Sequence, residues 1–302
     1  MPAKIVVVGS FNMDLTAYME RMPRPGETVG GHRFKTGPGG KGSNQAVAAA
    51  RLGAEVTFIG RVGEDVFAQA ALDFWKQEGI NTEFVVRDPN NATGVAPIWV
   101  DDKGENSIVV VFGANLAITK ADIDRAADII SAADVLIVQL EINYDMVAYA
   151  MQVAKDKGVR TILNPAPAGK LATEVVALAD YLTPNETELE VLCGKSGDYQ
   201  AAARSLLTRE GQTAVVTLGS QGAMWLNAEG QGTVPIFKVK VVDTTGAGDA
   251  FNGGFAVALG EGKSLEEAIR FGNAVAGLSV TKLGTAPSMP TRTEVEALLK
   301  SQ

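Results

Sequence analysis

Apolar residues along this chain follow two rhythms. Short, mostly apolar runs at Ile5 to Val8, Val56 to Gly60, Val135 to Leu140, Thr161 to Leu163, Tyr181-Leu182 and Ala214 to Leu218 have the length of strands in a buried parallel sheet. Between them lie longer segments patterned for helices, at 45–52, 67–78, 120–131, 145–157, 171–179, 186–193, 198–210 and 264–280. Strands and helices thus alternate in repeated βα units, which predicts an α/β fold with a mostly parallel central sheet. With 302 residues, the chain reads as one domain over 1–302.

Two regions depart from the alternation. Gly94 to Val100 and Ile108 to Phe112 flank the polar stretch Asp101-Asp102-Lys103-Gly104-Glu105-Asn106, which is a β-hairpin signal. Together with Leu15 to Phe34 it predicts a small separate sheet, a lid built from about 12–38 and 92–113 over the carboxyl ends of the main strands. Farther along, Ala223 to Leu226 and Thr233 to Phe237 read as a strand pair around Asn227 to Gly232. Phe237 to Val242 then reads as a β-like run.

That run leads into Asp243-Thr244-Thr245-Gly246-Ala247-Gly248-Asp249-Ala250-Phe251-Asn252-Gly253-Gly254, followed by the apolar helix body Phe255 to Leu259. A glycine-rich turn opening a helix presents unpaired N–H groups at the positive end of the helix dipole, a setting for a phosphoryl group. A carboxylate in such a place either caps the helix or takes a proton from a hydroxyl attacking the phosphate, and Asp249 is read as that base.

Ligands of open α/β sheets bind outside the carboxyl ends of the strands. Asn12, Asp14, Glu141, Asn164, Asn185 with Glu188, and Gly219 all follow strands, on the edge that Asp249 occupies. Asn185 and Glu188 also have the spacing of a capping box. If the edge holds nucleotide phosphates, the same oxygens suit magnesium bound through its waters. Gly219 and Gly222 form a small turn that admits a flat adenine or ribose. A second glycine cluster, Gly37-Pro38-Gly39-Gly40-Lys41-Gly42-Ser43-Asn44, formally contains G-x-G-x-x-G. It does not follow the first apolar strand, and Gly42 rather than Ser or Thr follows Lys41, so neither the dinucleotide fingerprint nor a Walker A loop applies. It reads as a loop that lets a ligand approach the backbone. In the tail, Ser279 to Ser288 is placed to fold back on Asp243 and Thr245 and offer oxygens to a monovalent cation.

Composition narrows the chemistry further. A net charge of −8 argues against nucleic-acid binding. One histidine, His32, reads as a solvated lid residue and, with one cysteine, rules out His-based triads and zinc clusters. The lone Cys193 points to a reducing compartment, the cytoplasm. No apolar run reaches the roughly 18 residues of a membrane span, and Met1-Pro2-Ala3-Lys4 leads straight into a strand without the pattern of a signal peptide.

The segments Gly39-Gly40-Lys41-Gly42-Ser43-Asn44-Gln45-Ala46 and Asp243 to Phe251 resemble the two signatures of the ribokinase-like family of sugar kinases, and the resemblance covers nearly the whole chain. Gly113-Ala114-Asn115, Asn164-Pro165-Ala166-Pro167, Thr183-Pro184-Asn185-Glu186 and Thr217-Leu218-Gly219-Ser220 narrow it to the ribose-phosphorylating branch. The resemblance implies a three-layer α/β/α sandwich with a β lid, and phosphoryl transfer from ATP, with magnesium, to O5 of D-ribose. It implies Asp249 as base and Gly246, Ala247 and Gly248 as anion hole. Asn12, Asp14, Gly40, Lys41, Asn44 and Glu141 would contact the sugar, and Asn185, Thr217, Gly219, Gly222, Gly248 and Asn273 the nucleotide. Asp243, Thr245, Ser279, Lys282, Gly284 and Ser288 would surround potassium, and Glu188 would hold magnesium through water. Many members of that branch carry a basic or polar residue after the position of Lys282, where this chain has Leu283. The resemblance also implies a homodimer through the lid. Related acceptors such as deoxyribose, a ketohexose or adenosine, or a catalytically silent sensor, are the alternatives.

Overall fold

The structure is a computed structural model that describes residues 1–194 and 197–301. The chain begins with β1 (Lys4–Val8), β2 (Asn12–Met19), β3 (Gly31–Gly39) and α1 (Lys41–Arg51). Next come β4 (Glu55–Gly63), α2 (Val66–Gln77), β5 (Val85–Asp88), β6 (Gly94–Asp101) and β7 (Asn106–Ile108). The middle runs through α3 (Lys120–Arg125), α4 (Ala127–Ser131), β8 (Val135–Val138), α5 (Tyr144–Asp156), β9 (Arg160–Leu163), α6 (Thr173–Val176) and β10 (Tyr181–Leu182). Then follow α7 (Glu186–Cys193), α8 (Tyr199–Leu206), β11 (Thr213–Thr217), β12 (Ala223–Leu226) and β13 (Gln231–Val234). Three helices finish the chain: α9 (Ala247–Gly260), α10 (Leu265–Ser279) and α11 (Arg292–Ser301).

Nine strands form one sheet in the order β13-β12-β11-β10-β9-β8-β1-β4-β5. From β11 to β5 every pairing is parallel, and β12 and β13 add an antiparallel hairpin at one edge. Period-two side chains divide β1 between two cores. Ile5 and Val7 join a cluster with residues of α1, α2, α9, α10 and α11, while Val6 and Val8 join one with α3, α4, α5, α7 and α8. The fold is therefore the expected three-layer α/β/α arrangement, and it leaves the carboxyl ends of the parallel strands along one edge.

Helices α1, α9 and α10 approach each other backbone to backbone. An added Cβ on Gly253 would sit 2.6 Å from Ala48 Cβ, and one on Gly254 would sit 2.7 Å from Val275 Cγ2. A second, four-stranded sheet in the order β3-β2-β6-β7 joins β2 to β3 antiparallel and to β6 parallel. Its residues are those of the expected lid segments. No helix among the described residues is long and apolar enough to cross a membrane.

Several local readings change. Gly37 to Gly39 do not form a loop, because they complete β3, where Gly39 pairs with Asn12 and Gly37 with Asp14. Asn12 and Asp14 accordingly belong to β2 rather than to a turn before it. Phe237 to Val242 makes no strand: β13 ends at Val234, ahead of Pro235, and the segment is tied instead by Val242 N–H to the carbonyl of Val280. The expected strand Ile108 to Phe112 contributes only its first residue to β7, with one further bridge between Val95 and Val111. The helix expected over 198–210 stops at Leu206, because the buried Gln212 side chain accepts from Thr208 and Arg209 N–H and holds the next residues as a loop. The helix expected over 120–131 is two short ones meeting at Ala126, and that over 171–179 is the single turn α6. β5 has no counterpart in the sequence reading.

Candidate active site

Asp249 lies in the first turn of α9, which Gly246 opens at φ 79°, a left-handed conformation natural to glycine. The Ala247 N–H closes the turn onto the Thr244 carbonyl at 3.2 Å. The amides of Gly248 and Asp249 have no intrachain acceptor among the described residues, so the anion-binding capacity of the turn rests on them and on the helix dipole. The Asp249 carboxylate is buried, 6% exposed. Both of its oxygens are held from α1: Asn44 Nδ2 donates to Oδ2 at 2.9 Å and Gln45 Nε2 to Oδ1 at 3.0 Å.

Beside it, Glu141 follows β8 and gathers donors from three elements onto Oε2: Ser10 Oγ at 2.5 Å, Asn12 Nδ2 at 3.3 Å and the Lys41 backbone N–H at 2.9 Å. Asn115 fixes the other side of Asn12, donating to its Oδ1 at 3.0 Å. Asp14 completes the cluster, and only glycine at position 39 leaves room for it, since a Cβ there would sit 2.5 Å from its carboxylate. Burial pushes the Asp14 carboxyl up to about 7, Glu141 and Asp249 push the same way, and a Thr285 hydrogen bond opposes them. Burial also raises Glu141, against Lys41 and Ser10. For Lys41 burial works against the charge, but Asp249, Glu141 and Glu188 outweigh it and hold the ammonium above its ordinary value. Asn12, Asp14, Gly40, Lys41, Asn44, Glu141 and Asp249 thus converge from β2, α1 with its N-cap, the segment after β8 and α9, leaving buried Asn44 Oδ1 without a partner. An unsatisfied acceptor among carboxylates and amides suits a polyol, which supplies the missing hydroxyl donors.

On the other side of Asp249 are two connected cavities. The smaller, about 140 Å³, is bounded by Lys41, Asn164, Glu188, Gly246, Gly248 and Asp249 among others. The larger, about 630 Å³, is lined by all six residues assigned to the nucleotide, Asn185, Thr217, Gly219, Gly222, Gly248 and Asn273, with Phe237, Val239 and Val241 as its apolar wall. Asn185, Thr217 and Gly248 border both. Asn273 shapes the wall rather than reaching inward, because its Nδ2 donates to the carbonyls of Val234 and Pro235. Asn185 and Glu188 form the capping box and line the small cavity at once, with only Glu188 Oε2 committed to the cap. That leaves a buried carboxylate oxygen for water-mediated magnesium, and burial raises its carboxyl above the ordinary value.

The cation segments meet as expected, although not all of their side chains do. Asp243 accepts from Thr245 N–H and Oγ and from Gly284 N–H, and these bonds lower its carboxyl in spite of burial. Ser279 and Ser288 hydroxyls turn onto Ala276 and Thr285 carbonyls, and the Lys282 ammonium pairs with Glu294 at 2.8 Å. What remains is one carboxylate, the Thr245 hydroxyl and backbone carbonyls, an oxygen-only set suited to a hard cation.

Residues 2–292 match the model of the pfkB family carbohydrate kinases. The chain belongs to that family. Among similar pfkB-family proteins, the ribokinase of Bacillus subtilis (strain 168) is 44% identical over 295 residues, covering 98% of this chain and 99% of its own. The deoxyribokinase of Salmonella typhi is 41% identical over 292 residues, covering 95% of each. The structure of Arabidopsis thaliana ribokinase complexed with ribose and ATP superposes with a TM-score of 0.92 at 34% identity, covering 99% of both chains.

Three side chains at the centre of this pfkB-family site escaped the sequence reading as site residues. Gln45 was visible only as a letter inside a motif. Asn115 and Thr285 come from distant loops, and Thr285 touches three parts: the Gly246 turn, the Pro38 carbonyl at 3.3 Å and Asp14. Each reaches the site through partners far away in the chain, Gln45 through Asp249 and Asn164, Asn115 through Phe11 and Asn12, so nothing beyond motif membership marks them in the sequence.

Proposed function

We propose that this kinase transfers the γ-phosphoryl group of ATP to O5 of D-ribose. The observation that carries the proposal is the place of Asp249, buried at the first turn of α9 between the polar carboxylate cluster and the cavities that run to the nucleotide wall. In the step itself, the sugar hydroxyl oxygen bonds to the γ-phosphorus while the bond to the β-bridging oxygen breaks, and ADP leaves. Asp249 accepts the hydroxyl proton late, because the transition state is loose. The Gly248 and Asp249 amides and the α9 dipole meet the charge spread over the phosphoryl oxygens. Asn12, Asp14, Asn44, Glu141 and Lys41 hold and orient the sugar, and a neutral polyol is favoured because Lys41 is the one cation in the cluster.

Glu188 would hold magnesium through water, and the ion would supply charge neutralisation of the phosphates. Asp243, Thr245 and the carbonyls near Gly284 would hold potassium, which would steady the turn that presents the amides, and equal turnover in sodium, potassium and tetramethylammonium would refute that role. We also place the protein in the cytoplasm, on the strength of its free Cys193. The small sheet closes over the sugar and pairs with its copy in a homodimer, a reading supported by apolar side chains left exposed on it and beside it: Phe34, Ile108, Val109 and Val111.

A second acceptor, 2-deoxyribose, is favoured by the 41% identity to the Salmonella protein. A sugar panel with coupled ADP detection separates the two. Ribose should give the highest kcat/KM, and higher efficiency on fructose 6-phosphate or adenosine would sink both readings.

A further inference from the structure

The geometry points to Gln45 as the positioning residue that holds the Asp249 carboxylate, with Gln139 behind it. Gln45 is wholly buried on α1, and its amide is completely used. Nε2 donates to Asp249 Oδ1 at 3.0 Å and to Asn164 Oδ1 at 2.9 Å, and its Oε1 accepts from Gln139 Nε2 at 2.7 Å. The two acceptors, the Asp249 carboxylate and Asn164 Oδ1, fix which way the Gln45 amide faces, and Gln139 donates to the oxygen so placed. Turned over, Gln45 would set its carbonyl oxygen against the carboxylate and against Asn164 Oδ1. Gln139 is itself 1% exposed, and its own oxygen reaches toward Gly9, where a Cβ would meet it at 2.3 Å. The row Gln139, Gln45, Asp249 therefore runs from the end of β8 through α1 to α9 with a single sense of donation. With Oδ1 pinned from behind by Gln45, Oδ2 is the oxygen left beside Asn44 on the sugar side. That orientation decides which lone pair receives the hydroxyl proton.

This inference rests on Asp249 being the base. Gln45→Leu keeps the volume and removes the donor. It should lower kcat about 10- to 100-fold, the scale for misplacing a reacting group by an ångström or less, while KM for ATP stays unchanged. The decisive measurement is a double-mutant cycle with Asp249→Ala, because a residue acting through Asp249 has little left to lose once Asp249 is gone. A Gln45→Leu enzyme with undiminished kcat would overturn the assignment, and so would losses that simply multiply in the double variant, the mark of a role in packing alone. If Gln45→Leu does not accumulate folded, Gln139→Leu enters the same cycle, with a smaller kcat loss expected and the same non-additivity required. Should Asp249→Ala itself keep wild-type turnover, the base assignment fails instead, an outcome distinct from failure of the Gln45 role.

Discussion

Replacing Gly253 by alanine tests whether the close contact of α1 with α9 sets the catalytic geometry. The new Cβ would lie 2.6 Å from Ala48 Cβ, 2.8 Å from the Gln45 carbonyl oxygen and 3.1 Å from Ala49 N. Carbon atoms rest at about 3.5–4.0 Å, so the two helices must part by about 1 Å. Overpacking of this kind costs about 1–3 kcal/mol, which at about 2–4 °C per kcal/mol lowers Tm by several degrees. The functional loss should be larger than the stability loss. Gly253 lies one turn beyond Asp249, and the atoms it would push belong to Gln45 and its neighbours. A 1 Å separation would stretch the 2.9 and 3.0 Å bonds from Asn44 and Gln45 to Asp249 past hydrogen-bonding range. Misplacement by that distance corresponds to about 10²-fold in kcat. Steady-state kinetics with coupled ADP detection, beside a thermal melt, would measure both effects. The large cavity takes Ala247, Gly248 and Phe251 from α9 but no residue from α1, so KM for ATP should change less than kcat. Wild-type kcat in a folded Gly253→Ala enzyme would refute the argument, as would a rise in KM for ATP without loss of kcat.

Asp249→Asn should leave the fold and ATP affinity intact and reduce turnover about 10²-fold or more, the range for losing a general base; retention of more than about a tenth of turnover would place the base elsewhere. Asp14 ties stability to pH. With its carboxyl at about 7 against an ordinary 3.8, the native chain keeps a proton that the unfolded chain has lost between those values, so stability from this group falls as pH rises through that window. Asp14→Asn escapes the fall, and its stability relative to wild type should grow between pH 5 and 7 by up to about 1.4 kcal/mol per unit; a constant difference in denaturant melts would count against the raised carboxyl. Phe34→Glu, which sets a charge on the exposed face of the small sheet, should yield a monomer by light scattering, and an unchanged dimer mass would move the interface elsewhere.

Some of this was legible along the chain and some was not, for physical reasons. The alternation of apolar runs carries the layer order, because strands buried on both faces must be continuously apolar, as Val135 to Val138 are. Asn12, Asp14 and Glu141 were findable from sheet polarity, and Asp249 from the glycine-rich turn that opens its helix. Glycines misled where spacing suggested a loop: Gly39 is in a strand because Asp14 takes the volume of its missing Cβ, a reason that lies 25 positions away in the chain. Phe237 to Val242 has a strand's composition but no neighbour to pair with, and its apolar residues serve a cavity wall instead. Asn185 and Glu188 were read as cap or as ligand, and they both cap the helix and face the small cavity.

The two chambers on either side of Asp249 are drawn from different halves of the gene product. The side chains gathered around Glu141 all precede residue 142, and every residue lining the large cavity follows residue 184. Acceptor choice and donor choice are therefore read mostly from separate stretches of chain, with Thr285 the second half's contact to Asp14. Substitutions in the first half can carry the chain from one sugar to another while the nucleotide half is conserved unchanged. A recombination falling between Glu141 and β10 would exchange most of the acceptor surface at once, and Asp249, contributed by the second half, would serve whichever acceptor the new first half presented.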